Sequence, residues 1–253
     1  MRLQGKVAVI TGATSGFGTA IARLFAAEGA SLILGGRRAD IGETLAAELR
    51  AGSHEVDFVP GDVSDEGTAA CIAEHAGKRH GRIDVLVLNA GSNEAGTKPF
   101  WEVSPDEFDA VLRTNVRGVW LGARAAVPLM PDGGSIVVMA SQQSVIVCPG
   151  NTTYAASKGA ALQLARGMAL DLAPRGIRVN ALCPGICETP LTRGYIDGTA
   201  DPAATEAAMR KLAPLGRFGT AGEIAEHTLF LASNQSAFIT GVGLIADGGT
   251  TIR

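Results

Sequence analysis

The sequence predicts an α/β fold, a doubly wound parallel sheet of about seven strands with helices on both faces. Three observations predict it. Short β-type runs alternate with helical runs from end to end of the chain. Those β-type runs are near-continuously apolar, as in strands buried on both faces of a parallel sheet. The first of them leads into a glycine-rich turn that opens a helix.

The elements follow in order. Val7–Thr11 is the first predicted strand, and Ala20–Ala27 is the helical run after it, with Gly29 as its stop signal. Ser31–Leu34 is the second strand and Asp40–Arg50 the next helix, followed by Gly52. Glu55–Val59 and Val85–Leu88 are the third and fourth strands. Ser104-Pro105-Asp106-Glu107 is a capping box with proline at the first helical position, and its helix runs on towards Pro128. Ser135–Met139 and Arg178–Leu182 are strands five and six. Thr220-Ala221-Gly222-Glu223 repeats the capping-box logic before the last helix, and Val242–Ala246 is the final strand. No proline- or serine-rich linker interrupts these units, so residues 1–253 read as one domain.

Composition narrows the function. The 253 residues are 46% hydrophobic and 19% charged with 33 glycines, which describes a globular chain with many tight turns. The net charge is −3 and no basic run exceeds Arg37-Arg38, which argues against a nucleic-acid surface and for small solutes as partners. The chain runs from Met1-Arg2-Leu3 straight into a strand, with no apolar signal segment and no run long enough to span a membrane, so a cytoplasmic location is expected. Cys71, Cys148, Cys183 and Cys187 show no Cys-x-x-Cys spacing, so no metal site and no disulfide framework is expected.

Thr11-Gly12-Ala13-Thr14-Ser15-Gly16-Phe17-Gly18 follows the first strand. Its glycines permit a tight turn and let backbone N–H groups of Ser15, Gly16 and Phe17 approach a pyrophosphate at a positive helix N-terminus. The spacing is Gly-x-x-x-Gly-x-Gly and differs from the standard Gly-x-Gly-x-x-Gly fingerprint. A site selective for NAD calls for an acidic side chain near the end of strand two, where this chain has Gly36 followed by Arg37 and Arg38. Guanidinium forks suit a 2′-phosphate, so NADP(H) is expected in preference to NAD(H). Asp62, beside Val63 after strand three, and Asn89-Ala90-Gly91 after strand four fall at the same carboxyl edge of the sheet.

In Asn151-Thr152-Thr153-Tyr154-Ala155-Ala156-Ser157-Lys158-Gly159, Tyr154 and Lys158 are four residues apart and share a helix face. An ammonium held near a phenol favours the phenolate and lowers a pKa that is ordinarily near ~10. Such a pair can trade a proton with a substrate oxygen, although alone it is also an ordinary exposed helix pair.

With Thr11–Gly18, Asn89-Ala90-Gly91, Ser141, Tyr154 and Lys158 together, the chain resembles the short-chain dehydrogenases/reductases, in their single-domain branch. Pro184-Gly185 with Thr189-Pro190, Pro214-Leu215-Gly216-Arg217-Phe218, and Ile239-Thr240-Gly241 through Asp247-Gly248-Gly249 extend the resemblance to the carboxyl end. It implies a Rossmann-type single dinucleotide-binding and catalytic domain. It also implies that Tyr154 is the general acid in carbonyl reduction and the general base in alcohol oxidation. Lys158 would lower the pKa of Tyr154 and hold the nicotinamide ribose, Ser141 would hydrogen-bond the substrate oxygen, and Asn115 would support a water that passes protons to Lys158. Pro184, the backbone after Gly185, Cys187 and Thr189 would border the nicotinamide end.

Leu88 and Val138-Met139-Ala140 depart from the family's frequent residues, as does Cys187, which stands where an aliphatic side chain is usual. The thiol is expected to be a small apolar wall rather than a redox switch. The segment at about 189–213, through Leu191, Tyr195, Ile196 and Met209, resembles the family's substrate lid, with Gln142, Gln143, Val145, Val147 and Cys148 expected on the opposite wall. A small ketone, a sugar or polyol, and a 3-oxoacyl thioester are all compatible substrates. A non-catalytic dinucleotide-binding redox sensor is the reading from another class, but it would not need Ser141, Tyr154 and Lys158 together. The resemblance also implies a homotetramer.

Overall fold

A computed structural model describes residues 1–252. The chain runs β1 (Val7–Thr11), α1 (Gly16–Ala27), β2 (Ser31–Gly36), α2 (Ala39–Ala51), β3 (Val56–Pro60), α3 (Glu66–His80) and β4 (Val85–Leu88). It continues through α4 (Pro105–Leu112), α5 (Gly118–Ala126), β5 (Ser135–Met139), α6 (Thr152–Leu172) and β6 (Arg178–Pro184). It ends with α7 (Pro190–Asp197), α8 (Pro202–Arg210), α9 (Ala221–Ala232) and β7 (Gly243–Ala246). The seven strands form one sheet in the order β3-β2-β1-β4-β5-β6-β7, all parallel. This is the doubly wound, Rossmann-type architecture expected from the sequence.

The apolar runs are continuous because successive side chains enter different cores. Ala8 and Ile10 of β1 join Leu32 and Leu34 of β2 in the core beneath α1, α2 and α9, with Phe25, Leu45 and Leu229. Val9 and Ile33 face the other core, with Ile72 of α3, Val119 of α5 and Leu162 of α6. A strand covered on both faces favours apolar side chains throughout, and the buried polar ones here, such as Ser135 and Asn180, are hydrogen-bonded. Fully burying each large side chain contributes about 1.5–3 kcal/mol.

Several boundaries move by one or two residues, and β2 and β6 run on to Gly36 and Pro184, carrying the ladder to the carboxyl edge. The helix begun by the capping box at Ser104 does run on towards Pro128, although not as one regular α-helix. Ser104 Oγ accepts from the Glu107 N–H and the Glu107 carboxylate accepts from the Ser104 N–H, but residues Arg113–Arg117 form a π-helical turn between α4 and α5. α3, not singled out from the sequence, is capped by Asp65, whose carboxylate accepts from the Thr68 N–H.

The chain winds outward from β1 to β3 and then returns to place β4 on the other side of β1. This reversal opens a crevice at the carboxyl edge, beyond Thr11 and Leu88. Asn89 seals its floor, its Nδ2 donating to the carbonyls of Thr11 and Gly12 at 3.0 and 3.1 Å. Gly12 has φ +67°, and a Cβ there would lie 2.7 Å from Ala90 Cα. Only glycine lets the two loops approach so closely.

Candidate active site

The crevice over the β1–β4 reversal is an open cleft. Gly12, Ser15, Gly16, Phe17, Arg37, Arg38, Asp62, Val63, Asn89, Ala90, Gly91 and Thr189 all line it. Thr14, Gly36, Pro190 and Leu191, within or beside the stretches singled out from the sequence, line it too, while Gly61 and Thr114 were missed because only the fold brings them to that edge. Gly18 does not line the cleft. A Cβ on it would stand 2.1 Å from the Gly12 carbonyl oxygen, so it lets α1 pack under the turn.

The cleft fits a dinucleotide by the chemistry of its donors. Ser15 is the N-cap of α1 but its side chain caps nothing, leaving the first N–H groups of a twelve-residue helix open towards the cleft. By contrast, Asp65, Ser104, Thr189, Asp201 and Thr220 cap their own helices with side-chain acceptors. At the other end the two arginines differ. Arg38 donates through Nη2 to the carbonyl and hydroxyl oxygens of Thr14 at 3.0 and 3.1 Å, bracing the glycine turn. Arg37 has only loose, exposed ion pairs, 3.6 Å to Glu94 and 3.9 Å to Asp62. Such pairs are worth about 0–1 kcal/mol, so Arg37 can exchange them for another anion.

A second cavity adjoins the first, and Phe17, Thr189, Pro190 and Leu191 line both. Its walls carry Ser141, Tyr154, Pro184, Gly185 and Cys187, with Gln142, Gln143 and Cys148 on one side and Leu191, Tyr195 and Met209 of α7 and α8 on the other. Val145 and Val147 do not line it. They are 52% and 66% exposed, turned outward by the short 3₁₀ turn Gln142–Ser144. Ile196 is buried instead of facing the cavity. Asn93, not foreseen from the sequence, stands on the wall beside Gly96 and Thr97.

Tyr154 and Lys158 lie in the first turns of α6, four residues apart, with the ammonium 5.8 Å from the centre of the phenol ring. Ser141, just past β5, lines the same cavity as the phenol. Lys158 lines neither cavity: it is 4% exposed and its Nζ donates to the Met139 carbonyl at 2.8 Å. Burial pulls its pKa down to about 8, against a smaller upward pull from Cys183. Burial pushes the Tyr154 phenol up, and the Ser141 hydroxyl only partly offsets this. The direction is opposite to that expected for a phenol beside an ammonium, because the loss of hydration is the largest effect on it.

Asn115 sits in the π-helical turn, fully buried, and does not line either cavity. Its Oδ1 accepts from the Ser92 N–H at 2.8 Å, and its Nδ2 donates to the Ser92 carbonyl and to Ser157 Oγ, each at 2.9 Å. A Cβ on Gly91 would lie 3.1 Å from Lys158 Nζ and 3.3 Å from Asn115 Oδ1, so Gly91 keeps open the space that both groups border. A π-turn is a frequent device at functional sites, since it re-aims one side chain without ending the helix.

Cys187 is buried, and burial pushes its thiol up to about 12. Among the described residues, no group of three or more His, Cys, Asp and Glu side chains could hold a metal ion, and no helix is long and apolar enough to cross a membrane.

A family model described as enoyl-(acyl carrier protein) reductase matches residues 12–251. The chain is 40% identical over 256 residues to oxidoreductase UcpA of Escherichia coli O157:H7, spanning 99% of this chain and 96% of that protein. A short-chain dehydrogenase/reductase from Serratia marcescens superposes with a TM-score of 0.92 at 34% identity, covering 99% of this chain and all of that one. A blue fluorescent protein from a metagenomic library, solved in complex with NADPH, superposes with a TM-score of 0.91 at 34% identity and 99% coverage of both chains.

Proposed function

The chain belongs to the short-chain dehydrogenase/reductase family, and on that premise we propose that it is an NADP(H)-dependent oxidoreductase acting on a carbonyl/secondary alcohol pair. The observation that carries the proposal is that Ser141 and Tyr154 line a cavity adjoining the glycine-turn cleft, with the Lys158 ammonium 5.8 Å from the centre of the phenol ring. The likeness to an NADPH-bound structure supports the cofactor, and so does Gly36 at the end of β2, followed by Arg37 rather than an acidic residue.

When bound, the nicotinamide supplies or accepts the hydride. The chain supplies everything else. Ser15, Gly16 and Phe17 hold the pyrophosphate at the N-terminus of α1, and Gly12 and Gly18 keep the turn tight. Arg37 and Arg38 meet the 2′-phosphate, Asp62 and Val63 the adenine, and Asn89, Ala90 and Gly91 admit the cofactor close to the backbone. Pro184, Gly185, Cys187 and Thr189 border the nicotinamide end, and Lys158 also holds the ribose.

Tyr154 donates a proton to the carbonyl oxygen in reduction and takes it back in oxidation. Ser141 orients that oxygen. Lys158 favours the phenolate, and Asn115, locked by Ser92 and Ser157, borders the route by which a proton reaches Lys158. Positioned acid–base transfer of this kind contributes roughly 10²–10⁴ in rate.

Residues 1–253 act as one catalytic unit, with the segment at about 189–213 as the lid over the second cavity. The protein works in the cytoplasm as a homotetramer on a small-molecule substrate, and a monomer by light scattering contradicts the tetramer. Titration of nicotinamide fluorescence with NADPH and NADH, followed by turnover of an alcohol and ketone panel, tests the function. Tight NADPH binding with turnover is the expected result. Preferential NADH binding overturns the cofactor, and no turnover overturns the enzyme.

A further inference from the structure

Charge does more than burial to fasten α8. Every one of its nine residues is at least partly exposed, yet Met209 near its end and Leu212 just past it form part of the wall of the second cavity. Apolar burial therefore does little to fix that stretch of wall. Polar ties take its place. Glu206 of α8 accepts from Arg193 of α7 at 2.8 Å and from Arg210, one turn along α8, at 2.7 Å. The Arg210 guanidinium also donates to the Glu188 carboxylate at 3.2 Å and lies 4.4 Å from the ring centre of Phe218.

These ties lead back to the reacting end of the site. Phe218 is buried, and the chain is zipped where it enters and leaves the segment that carries α7 and α8. The Glu188 N–H donates to the Gly219 carbonyl at 2.8 Å, and the Gly219 N–H donates to the Ile186 carbonyl at 3.0 Å. Glu188 stands between Cys187, on the wall of the second cavity, and Thr189, which lines both cavities. Arg210 thus joins a weakly buried helix to a firm root beside the site. A guanidinium suits this post, because its fork can meet two carboxylates while its face stacks on a ring. Exposed ion pairs are individually weak, so the same contacts can part and re-form.

Resting on the oxidoreductase reading and the lid assigned in it, we infer that Arg210 is a positioning residue, latching α8 to Glu188 and Phe218 so that Met209 and Leu212 close on the substrate. The latch governs binding rather than the chemical step. Parted, it leaves the cavity wall incomplete; joined, it completes it. Apparent affinity then scales with the fraction of molecules whose wall is complete. Saturating substrate restores that state, so loss of the latch raises KM without lowering kcat.

The test compares the full chain with Arg210→Met, Glu188→Gln and the double variant. Hydrogen exchange of residues 203–212 is followed without ligand, and initial rates are measured at saturating NADPH or NADH on butane-2,3-dione, ethyl acetoacetate and erythrulose. Arg210→Met should speed exchange in that stretch and raise KM, each about fivefold, with kcat no lower. Glu188→Gln should do part of this, and the double variant no more than Arg210→Met, because both substitutions break one tie. Raising NaCl from about 50 mM to about 500 mM should bring the wild-type KM towards that of Arg210→Met and leave the variant's unchanged. Unchanged exchange or KM in Arg210→Met, a fall in its kcat, or a wild-type KM indifferent to salt overturns the latch while leaving the oxidoreductase standing. Absence of wild-type turnover on all three compounds with either cofactor overturns the oxidoreductase reading, and the positioning role falls with it.

Discussion

The Lys158 ammonium donates to the Met139 carbonyl at 2.8 Å, tying α6 to the end of β5. That bond fixes the cation beneath the phenol of Tyr154, with the nitrogen 5.8 Å from the ring centre. One hydrogen bond is little compensation for a charge so deeply buried, which is why its pKa falls to about 8. The site carries a destabilised cation for the sake of its chemistry.

That cost is measurable. Below about pH 8 the folded and unfolded chains both carry the ammonium, and the full desolvation penalty opposes folding. Between about 8 and the ordinary 10.5 the unfolded chain binds a proton that the folded chain lacks, so stability rises with pH. The shift corresponds to on the order of 3 kcal/mol. Urea unfolding without cofactor at pH 7 and pH 10 should show the wild type gaining on Lys158→Met by an amount of that order. A constant difference between the two proteins contradicts the assignment.

Tyr154→Phe removes only the phenol hydroxyl from the cavity that Ser141 also lines. Turnover should fall by roughly 10²–10⁴ or more, while NADPH binding by fluorescence titration stays within about twofold. Retained turnover would move the acid–base role elsewhere.

Arg37 and Arg38 should separate. Arg37→Ala is expected to weaken NADPH by about 1.5–3 kcal/mol, the value of a charged hydrogen bond, and to leave NADH nearly unchanged. Arg38→Ala should weaken both cofactors, NADPH the more, and lower the melting temperature as well, because it also removes the brace on Thr14. Equal losses of NADPH and NADH in Arg37→Ala would make that residue a solvated surface charge.

The buried Cys187 thiol, pushed up to about 12, is almost wholly protonated at neutral pH. Iodoacetamide at pH 7.5 should label the exposed Cys71 and leave Cys187 and Cys183 intact by mass spectrometry. Activity should survive brief peroxide treatment. Rapid loss of activity with modification at Cys187 would restore the redox switch.

Much of the molecule is legible without coordinates because it is written locally. Period and apolarity place the strands to within a residue or two, as at Val7–Thr11 and Ser135–Met139. The capping boxes at Ser104 and Thr220 announce helix starts through contacts three residues apart. The four-residue step from Tyr154 to Lys158 puts both side chains on one helix face. The alternation of elements then requires a doubly wound sheet, whose carboxyl edge is where ligands gather.

What the tertiary structure decided depends on partners distant in sequence. Arg37 and Arg38 are adjacent and chemically alike, yet only Arg38 is held by Thr14, twenty-four residues away. Val145 and Val147 look like pocket residues until the turn at Gln142–Ser144 directs them outward. The π-turn at Asn115 has no signal in its own sequence and is understood from its bonds to Ser92 and Ser157. The direction of the Tyr154 shift follows from burial, which no spacing reveals. Sequence fixes short-range geometry, because bond angles and helical period repeat. Desolvation and the pairing of amides depend on which distant surfaces the sheet brings together, and those only the fold determines.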